Sequence, residues 1–434
     1  MDTSLHQSSL WWQTAAPGPD TPPLSGSHQA DVCVIGGGYT GLSAALHLAE
    51  GGTRVVVLEA EHVGFGASGR NHGQVVPMLS RYGPDDIARR FGDEPGERFN
   101  RFVGEAARLV FDLIERHGID CDAQRVGWLL PVDSPARADM VQRRAEAWAK
   151  REMPVSYLDA DATSAVTGSD YWKSALRHDW GGNIQPLSYA RGLAHAAIHA
   201  GATIHGRSPA TGLVRSGNRW TVATDGGTVS AEAVVLATNA YTGHLWPGLG
   251  QSVVPFRLFL GATTPQGDNV RRTLLPGGHS VSDSRTILWA FRWDRDARMV
   301  LGGDILLPWR GQTRTVSVAR KRLSAAFPEI GEADFGHVWD GKVAMTMDRL
   351  PRAVELGPGV WAALGYNGRG VALATAMGRL LAHRCMSGIG PDDPVPTELR
   401  SLRPIPFHTI AVPTARVMLL HYRRLDSRAE ATRR

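Results

Sequence analysis

Between Ala30 and Ala60 the chain reads ADVCVIGGGYTGLSAALHLAEGGTRVVVLEA, an order of residues that few folds accommodate. Val32-Cys33-Val34-Ile35 is a short apolar run that stops at three glycines, the pattern of a strand buried in a parallel sheet. Gly36, Gly38 and Gly41 fit G-x-G-x-x-G, and the apolar-periodic stretch from Leu42 to Glu50 predicts a helix. Gly51-Gly52 stops that helix, and Arg54 to Leu58 predicts a second buried strand ending on Glu59. Each glycine has its own reason. Gly36 permits a tight turn, Gly38 lets backbone approach a pyrophosphate, and Gly41 lets helix and strand close up. The N–H groups at the helix start face phosphate along the favourable end of the helix dipole. Glu59 follows about 20 residues on, where an acid accepts hydrogen bonds from a ribose. Glycine triplets alone occur in ordinary turns. Strand, glycines, helix, second strand and acid in this order predict a dinucleotide site.

At 434 residues the chain has room for about two or three domains and a large core. A hydrophobic content of 43% with 21% charged residues is that of a globular protein. The net charge of +5 is too diffuse to argue for a nucleic-acid partner. Cys33, Cys121 and Cys385 are far apart and without metal-ligand spacing, so no metal is expected and a reducing, cytoplasmic compartment fits. No secretory leader and no apolar run of membrane-spanning length is visible, so no integral membrane segment is expected. Residues 1–29 read as a polar, proline-bearing arm. Its Trp11-Trp12 pair is expected to dock onto the body rather than to serve a partner.

Further along, Gly64 to Gln74 puts four glycines into eleven residues, which excludes regular structure and predicts a close-packed loop around a cofactor. Glu94 to His117 and Pro186 to Ala200 predict helices; Gly127 to Val132, Arg219 to Ala223 and Ala233 to Asn239 predict strands. Val253 to Ile305 is strand-rich, with Phe256, Phe259, Ile287, Leu288, Trp289, Phe291 and Trp293 among its turns, and its aromatic rings could roof a cavity or fill a core. Arg292 within that run is costly to desolvate, so it is either paired or faces a cavity. Val360 to Leu364 predicts another buried strand, and Gly365-Tyr366-Asn367-Gly368-Arg369-Gly370 opens the helix from Val371 to Met386. This second glycine bend is a further site for anionic or carbonyl oxygens. From His421 a tail with five arginines reads as a solvated surface helix, with a membrane-surface role as the alternative.

Together the stretches VCVIGGGYTGLSAALHLAE, GFGASGRNHGQV, VVLATNAYTG and GYNGRGVALATAMGRLLA resemble the D-amino-acid-oxidase-like FAD oxidoreductases, which include glycine and sarcosine oxidases. Within them the chain looks most like the gamma-glutamylputrescine oxidase branch, from about Asp31 to the 350–385 region. The resemblance implies an α/β fold. A Rossmann-like FAD-binding domain (30–120, 183–245 and 336–400) is interleaved with a substrate domain (121–182 and 246–335) built on a large antiparallel sheet. The arm 1–29 and an extension 401–434 flank them. It implies that Gly36, Gly38, Tyr39, Thr40 and Gly41 hold the FAD pyrophosphate, and Glu59 and Ala60 the adenosine ribose. Ala67, Ser68, Gly69, Arg70, Asn71, Gly73 and Gln74 would line the flavin, and backbone near Ala210 would reach adenine. Thr238 and Asn239 would close over the cofactor. Gly365, Tyr366, Asn367, Gly368, Arg369, Gly370 and Val371 would reach the isoalloxazine end. The chain departs from its relatives at His72, where the branch usually has glycine, and at Ala372, where sarcosine oxidases carry lysine. Arg70 stands where some relatives attach flavin through histidine, and no cysteine lies near 339–351, so FAD is expected to be non-covalent.

The chemistry so implied is oxidation of a small amine or amino-acid-like substrate by hydride transfer to flavin N5, followed by imine hydrolysis, with molecular oxygen or another electron acceptor. His72 is the candidate proton acceptor or polar pocket group, against a purely structural role. Arg292 is the candidate carboxylate clamp, against a salt bridge with Asp294 or Asp283. Tyr366 borders the substrate or packs on the ring. The alternatives are a flavin dehydrogenase of an N-substituted amino acid, a flavin-binding protein without turnover, and a NAD-dependent dehydrogenase supported only by the first glycine motif.

Overall fold

The structure is a computed structural model and describes residues 7–285, 288–304, 311–330, 332–415 and 417. Ile287, Ile305 and the arginine tail from His421 lie outside the described residues.

Hydrophobic patterning builds the cofactor half. Val32–Ile35 pairs in parallel with Val55–Leu58 on one side and Ala233–Leu236 on the other. Thr203–His205 and Val360–Leu364 extend the parallel sheet, and Arg352–Gly357 closes one edge antiparallel, giving six strands. The four inner strands are apolar throughout because both faces are covered. Val32, Val34, Val55 and Val57 point to a core shared with helices Tyr39–Glu50, Pro186–His199 and Gly370–Ser387. Cys33, Ile35, Val56 and Leu58 point the other way, to a four-stranded sheet that contributes Trp220, Val222 and Val229. Gly378 makes the contact between the two glycine-led helices possible: a Cβ there would overlap the Thr40 carbonyl oxygen.

The other half rests on an eight-stranded sheet. Its order is Phe335–Met345, Val254–Thr263, Met299–Asp304, Ala290–Trp293, Ser280–Ser282, Trp128–Val132, Ser174–His178, Val155–Leu158. All neighbours are antiparallel except Ser280–Ser282 with Trp128–Val132, which run parallel. The domain boundary expected at 336 falls inside the edge strand Phe335–Met345 of this sheet. The aromatic rings of its middle are core: Trp289, Phe291 and Trp293 pack with Trp172 and Phe327. A short helix, Asp268–Thr273, interrupts the strand-rich segment. The three cysteines are free, with Cys33 and Cys121 buried. Among the described residues no helix is long and apolar enough to cross a membrane, and no cluster of metal-ligating side chains occurs.

The N-terminal arm docks as its tryptophans predict. Leu10 and Trp11 are buried in the short helix Leu10–Thr14, while Arg191 stacks on Trp12 at 5.2 Å.

Candidate cofactor and active site

The carboxyl ends of the parallel strands converge on one cavity of about 710 Å³, within the range of sites for large ligands. Gly36 turns the chain out of the first strand at φ +113°, and a Cβ there would stand 2.9 Å from the Ala237 carbonyl oxygen. A Cβ on Gly38 would stand 2.9 Å from Ser68 Oγ. Gly36, Gly38, Tyr39 and Thr40 line the cavity; Gly41 lies behind its wall, pressed against the Gly36 backbone. Glu59 lines it too, with Ala60 beside it, and accepts from Gly37 N at 2.6 Å and Glu61 N at 3.0 Å. Burial raises the Glu59 carboxyl, and those two amides oppose the rise.

The second glycine bend faces the same space. Gly365 (φ +76°), Asn367 (φ +53°) and Gly368 (φ +84°) turn Val360–Leu364 into helix Gly370–Ser387. Tyr366, Asn367, Gly368, Arg369, Gly370 and Val371 line the cavity. Gly365 does not; its N–H donates to Asn239 Oδ1 at 3.0 Å. Thr40 Oγ1 and Tyr366 Oη lie 2.5 Å apart, a hydrogen bond that ties one bend directly to the other. Thr238 and Asn239 close the wall between them. Ala210 lines the opposite end, from the segment beyond strand Thr203–His205 rather than from the strand itself.

The glycine-rich loop supplies Ala67, Ser68, Arg70, Asn71, His72 and Gln74 to the cavity. Gly69 and Gly73 face the protein instead, where side chains would collide with Gly64 and with Ile184 and Arg292. Arg70 donates from Nε to the Phe65 carbonyl at 2.7 Å and covers the Phe65 ring at 4.4 Å, leaving Nη2 buried without a partner. The large cavity, the glycine edges, the acid at the second strand and this arginine with one unsatisfied nitrogen fit an FAD.

Several lining residues carried no motif. Phe256, Leu258 and Leu260 alternate along Val254–Thr263 and face the cavity, with Lys342 and Met345 from the neighbouring strand and Tyr241 from the wall. Their period-two spacing was visible in the sequence, but it does not distinguish a cavity wall from a core.

Arg292 is corrected. It does not line the cavity, and neither Asp294 nor Asp283 binds it: they pair with Arg298 and Arg285. Its guanidinium donates instead to the carbonyls of Gly73 (3.0 Å), Ile184 (2.6 Å) and Trp293 (3.1 Å). Carbonyl oxygens satisfy a buried arginine without a second charge. Arg369 is the opposite case. It lines the cavity, is 7% exposed, stacks on Trp128 at 5.1 Å, and its Nε has no partner. Burial, aided by the like charge of Arg144, lowers it to about 10, so it stays charged at neutral pH.

His72 lines the cavity with Nε2 3.1 Å from the Val300 carbonyl and Nδ1 without a partner. Burial, then the nearby Arg292 charge, lowers it to about 3. Burial lowers His178, itself fully buried, to about 3 as well. Unfolded, both titrate near 6.5, so from there down to about 3 the unfolded chain binds more protons than the folded one. Stability is therefore fully present above about pH 6.5 and falls as pH drops toward 3. Urea midpoints measured from pH 7 to pH 4.5 should fall, and His178→Gln should lower the slope by about one proton.

Comparison with known proteins agrees with this geometry. Residues 31–384 match the family described as FAD dependent oxidoreductase, DAO. The chain is 34% identical over 376 residues to a probable oxidoreductase OrdL of Rhizobium meliloti (strain 1021), covering 86% of this chain and 87% of that relative. It is 32% identical over 379 residues to the gamma-glutamylputrescine oxidoreductase of Escherichia coli (strain K12), covering 87% and 88%. Its fold matches the crystal structure of glycine oxidase from Geobacillus kaustophilus with a TM-score of 0.68 at 22% identity, over 84% of this chain and 96% of that one. It also matches L-proline dehydrogenase from P. horikoshii with a TM-score of 0.70 at 20% identity, over 87% and 100%. FAD is the cofactor. With the family match spanning most of its length and both glycine bends lining one cavity, the chain belongs to the DAO family of FAD-dependent oxidoreductases.

Proposed function

We propose that the protein oxidises a carbon–nitrogen bond of an amine or amino-acid-like substrate that also carries an anionic group. The observation that carries this reading is a charged arginine, Arg369, that lines the cofactor cavity and has no carboxylate among the described residues to balance it. The names of relatives support the substrate class: one acts on gamma-glutamylputrescine and others are glycine oxidases. Bound FAD would supply the acceptor for the hydride of the C–H beside nitrogen, and water would hydrolyse the imine so formed to a carbonyl compound and an amine.

The chain's own residues bind, orient and keep out water. Phe256, Leu258 and Leu260 form an apolar wall that excludes water from the reacting carbon. Arg369 anchors the substrate's anionic end. Its charge persists because burial lowers it only to about 10. His72 is a poor store for a proton at neutral pH, since it titrates near 3. With Nε2–H held by the Val300 carbonyl and Nδ1 buried, the ring shapes the pocket wall rather than moving a proton. The amine then reacts in its neutral form, and activity rises with pH as the substrate, not the histidine, loses its proton. Tyr366 borders the cavity but spends its hydroxyl on Thr40, so it positions the two bends rather than moving protons.

FAD is held non-covalently, a reading supported by the absence of Cys33, Cys121 and Cys385 from the cavity wall. Free thiols also support a cytoplasmic location. Heat-denatured protein should release its yellow flavin into the supernatant. Anaerobic addition of amines, polyamine conjugates and N-methyl amino acids should bleach the flavin with at least one carboxylate-bearing member. Yellow protein that none of them bleaches would instead indicate a flavin-binding protein without turnover. Readmitted oxygen then separates an oxidase, which regains colour quickly, from a dehydrogenase.

A further inference from the structure

The backbone of the cofactor loop is held from behind by three side chains that come from distant parts of the chain. Trp339 Nε1 donates to the Arg70 carbonyl at 2.9 Å. Trp11 Nε1 donates to the Asn71 carbonyl at 2.7 Å. Arg292 Nη1 donates to the Gly73 carbonyl at 3.0 Å. The side chains of Arg70, His72 and Gln74 in that same stretch line the cavity. So the loop presents its side chains to the cofactor while its carbonyls are fixed on the opposite side. The three donors also touch one another: Trp11 meets Trp339 edge-on at 5.7 Å, and the Arg292 guanidinium lies over the Trp11 ring at 5.3 Å. All three are at most 3% exposed, so water does not offer the carbonyls a substitute donor.

Two of these donors sit on the eight-stranded sheet, in Phe335–Met345 and Ala290–Trp293. The third belongs to the arm that precedes the first strand of the cofactor sheet. That arm is anchored on helix Pro186–His199 and its cap: Ser188 Oγ accepts from Ala16 N at 2.9 Å, Arg191 donates to the Ala16 carbonyl at 2.7 Å, and Gln185 donates to the Trp11 carbonyl at 2.9 Å. Gln185 caps helix Pro186–His199, so the helix start, the arm and the loop form one connected unit. A docked arm that only covered apolar surface would need the Trp11 ring but not its N–H.

We propose that the N-terminal arm is a positioning element for the flavin: Trp11, acting with Trp339 and Arg292 through the carbonyls of Arg70 to Gly73, sets the loop that lies along it. This takes the FAD assignment as given and adds a role for residues outside the cavity.

The test uses full-length holoenzyme and its apo form. Trp11→Phe keeps an aromatic ring but removes the donor, so the Asn71 carbonyl loses its partner; the smaller ring also loosens packing, which the comparison variant controls for. Its flavin absorption and visible circular dichroism should shift. Apoenzyme should bind FAD on the order of tenfold more weakly by fluorescence titration, a loss on the scale of one buried hydrogen bond. Leu10→Ala is the comparison, because Leu10 is equally buried in the same helix and has no hydrogen bond to the loop from its side chain. It should lower the melting temperature and leave the flavin spectrum and FAD affinity unchanged. Should Trp11→Phe not fold, Trp339→Phe withdraws the neighbouring donor and is read in the same way. A donor-deleted variant with wild-type spectrum and FAD affinity overturns the proposal. So does a Leu10→Ala enzyme that shows the same spectral shift, since packing alone would then account for it. Wild-type protein that takes up no FAD would instead refute the cofactor assignment.

Discussion

Gly41→Ala is expected to purify without colour, with FAD affinity reduced at least about a hundredfold, the largest single-site loss of cofactor in this protein. The cause is local and steric. Gly41 sits in the first turn of Tyr39–Glu50, where a Cβ would overlap the Gly36 carbonyl oxygen and stand 3.1 Å from Val34 Cγ1. Neither neighbour can give way: one is the backbone of the turn that leaves the first strand, and the other is a fully buried strand residue. The helix must lift from the strand, at about 1–3 kcal/mol for an overpacked core. If, as we propose, this bend holds the pyrophosphate, the lift also displaces the turn formed by Gly36 and Gly38, and that displacement, more than lost stability, costs the cofactor. Gly267→Ala is the control, since a Cβ there meets nothing within 4 Å and its backbone is ordinary. The ratio of flavin to protein absorbance, followed by FAD titration of apoprotein, decides the matter. A yellow Gly41→Ala enzyme would show that the first bend does not carry the pyrophosphate.

The parts of the site that depend on backbone geometry were legible in the sequence. A glycine forced to φ +113°, or one pressed against a neighbouring backbone, leaves its mark at a fixed spacing, and so both bends and the loop between Gly64 and Gln74 could be read before any fold was known. What was not legible is which buried group meets which. Arg292 illustrates the limit. An arginine in an apolar strand must be satisfied, and charge partners or a cavity were the expected solutions. The structure uses a third, three backbone carbonyls, which no side-chain pattern can announce. Trp11 is similar: its docking was expected from composition, but its acceptor lies 60 residues away in a loop. In the strand-rich segment, alternation separated two faces without saying that Phe256, Leu258 and Leu260 face the cavity while Trp289, Phe291 and Trp293 fill a core. Arg369 was read by position, as a cofactor contact; only the surrounding packing reveals that no carboxylate among the described residues balances its charge.

Removing that charge should separate substrate binding from cofactor binding. On the proposed function, Arg369→Met keeps its FAD and its fold, yet loses about 100- to 1000-fold in kcat/KM toward a carboxylate-bearing amine, the range of about 3–4 kcal/mol for a desolvated charge pair that loses one partner. Most of the loss belongs in KM, because the anchor contacts the anionic end in ground state and transition state alike. Arg369→Lys should recover only part of it, since a lysine cannot reproduce the planar fork that stacks on Trp128 while gripping two oxygens. Stability should move in the opposite direction. The wild-type residue is 7% exposed, feels the like charge of Arg144, and carries an unsatisfied Nε, so a methionine of similar volume removes a desolvation cost and raises the melting temperature of the free enzyme. Higher stability with lower activity is the pattern of a residue kept for its ligand rather than for the fold. The competing assignment gives a different pair of results: if Arg369 serves the isoalloxazine instead, Arg369→Met weakens FAD binding and lowers kcat for every substrate, including amines that carry no carboxylate.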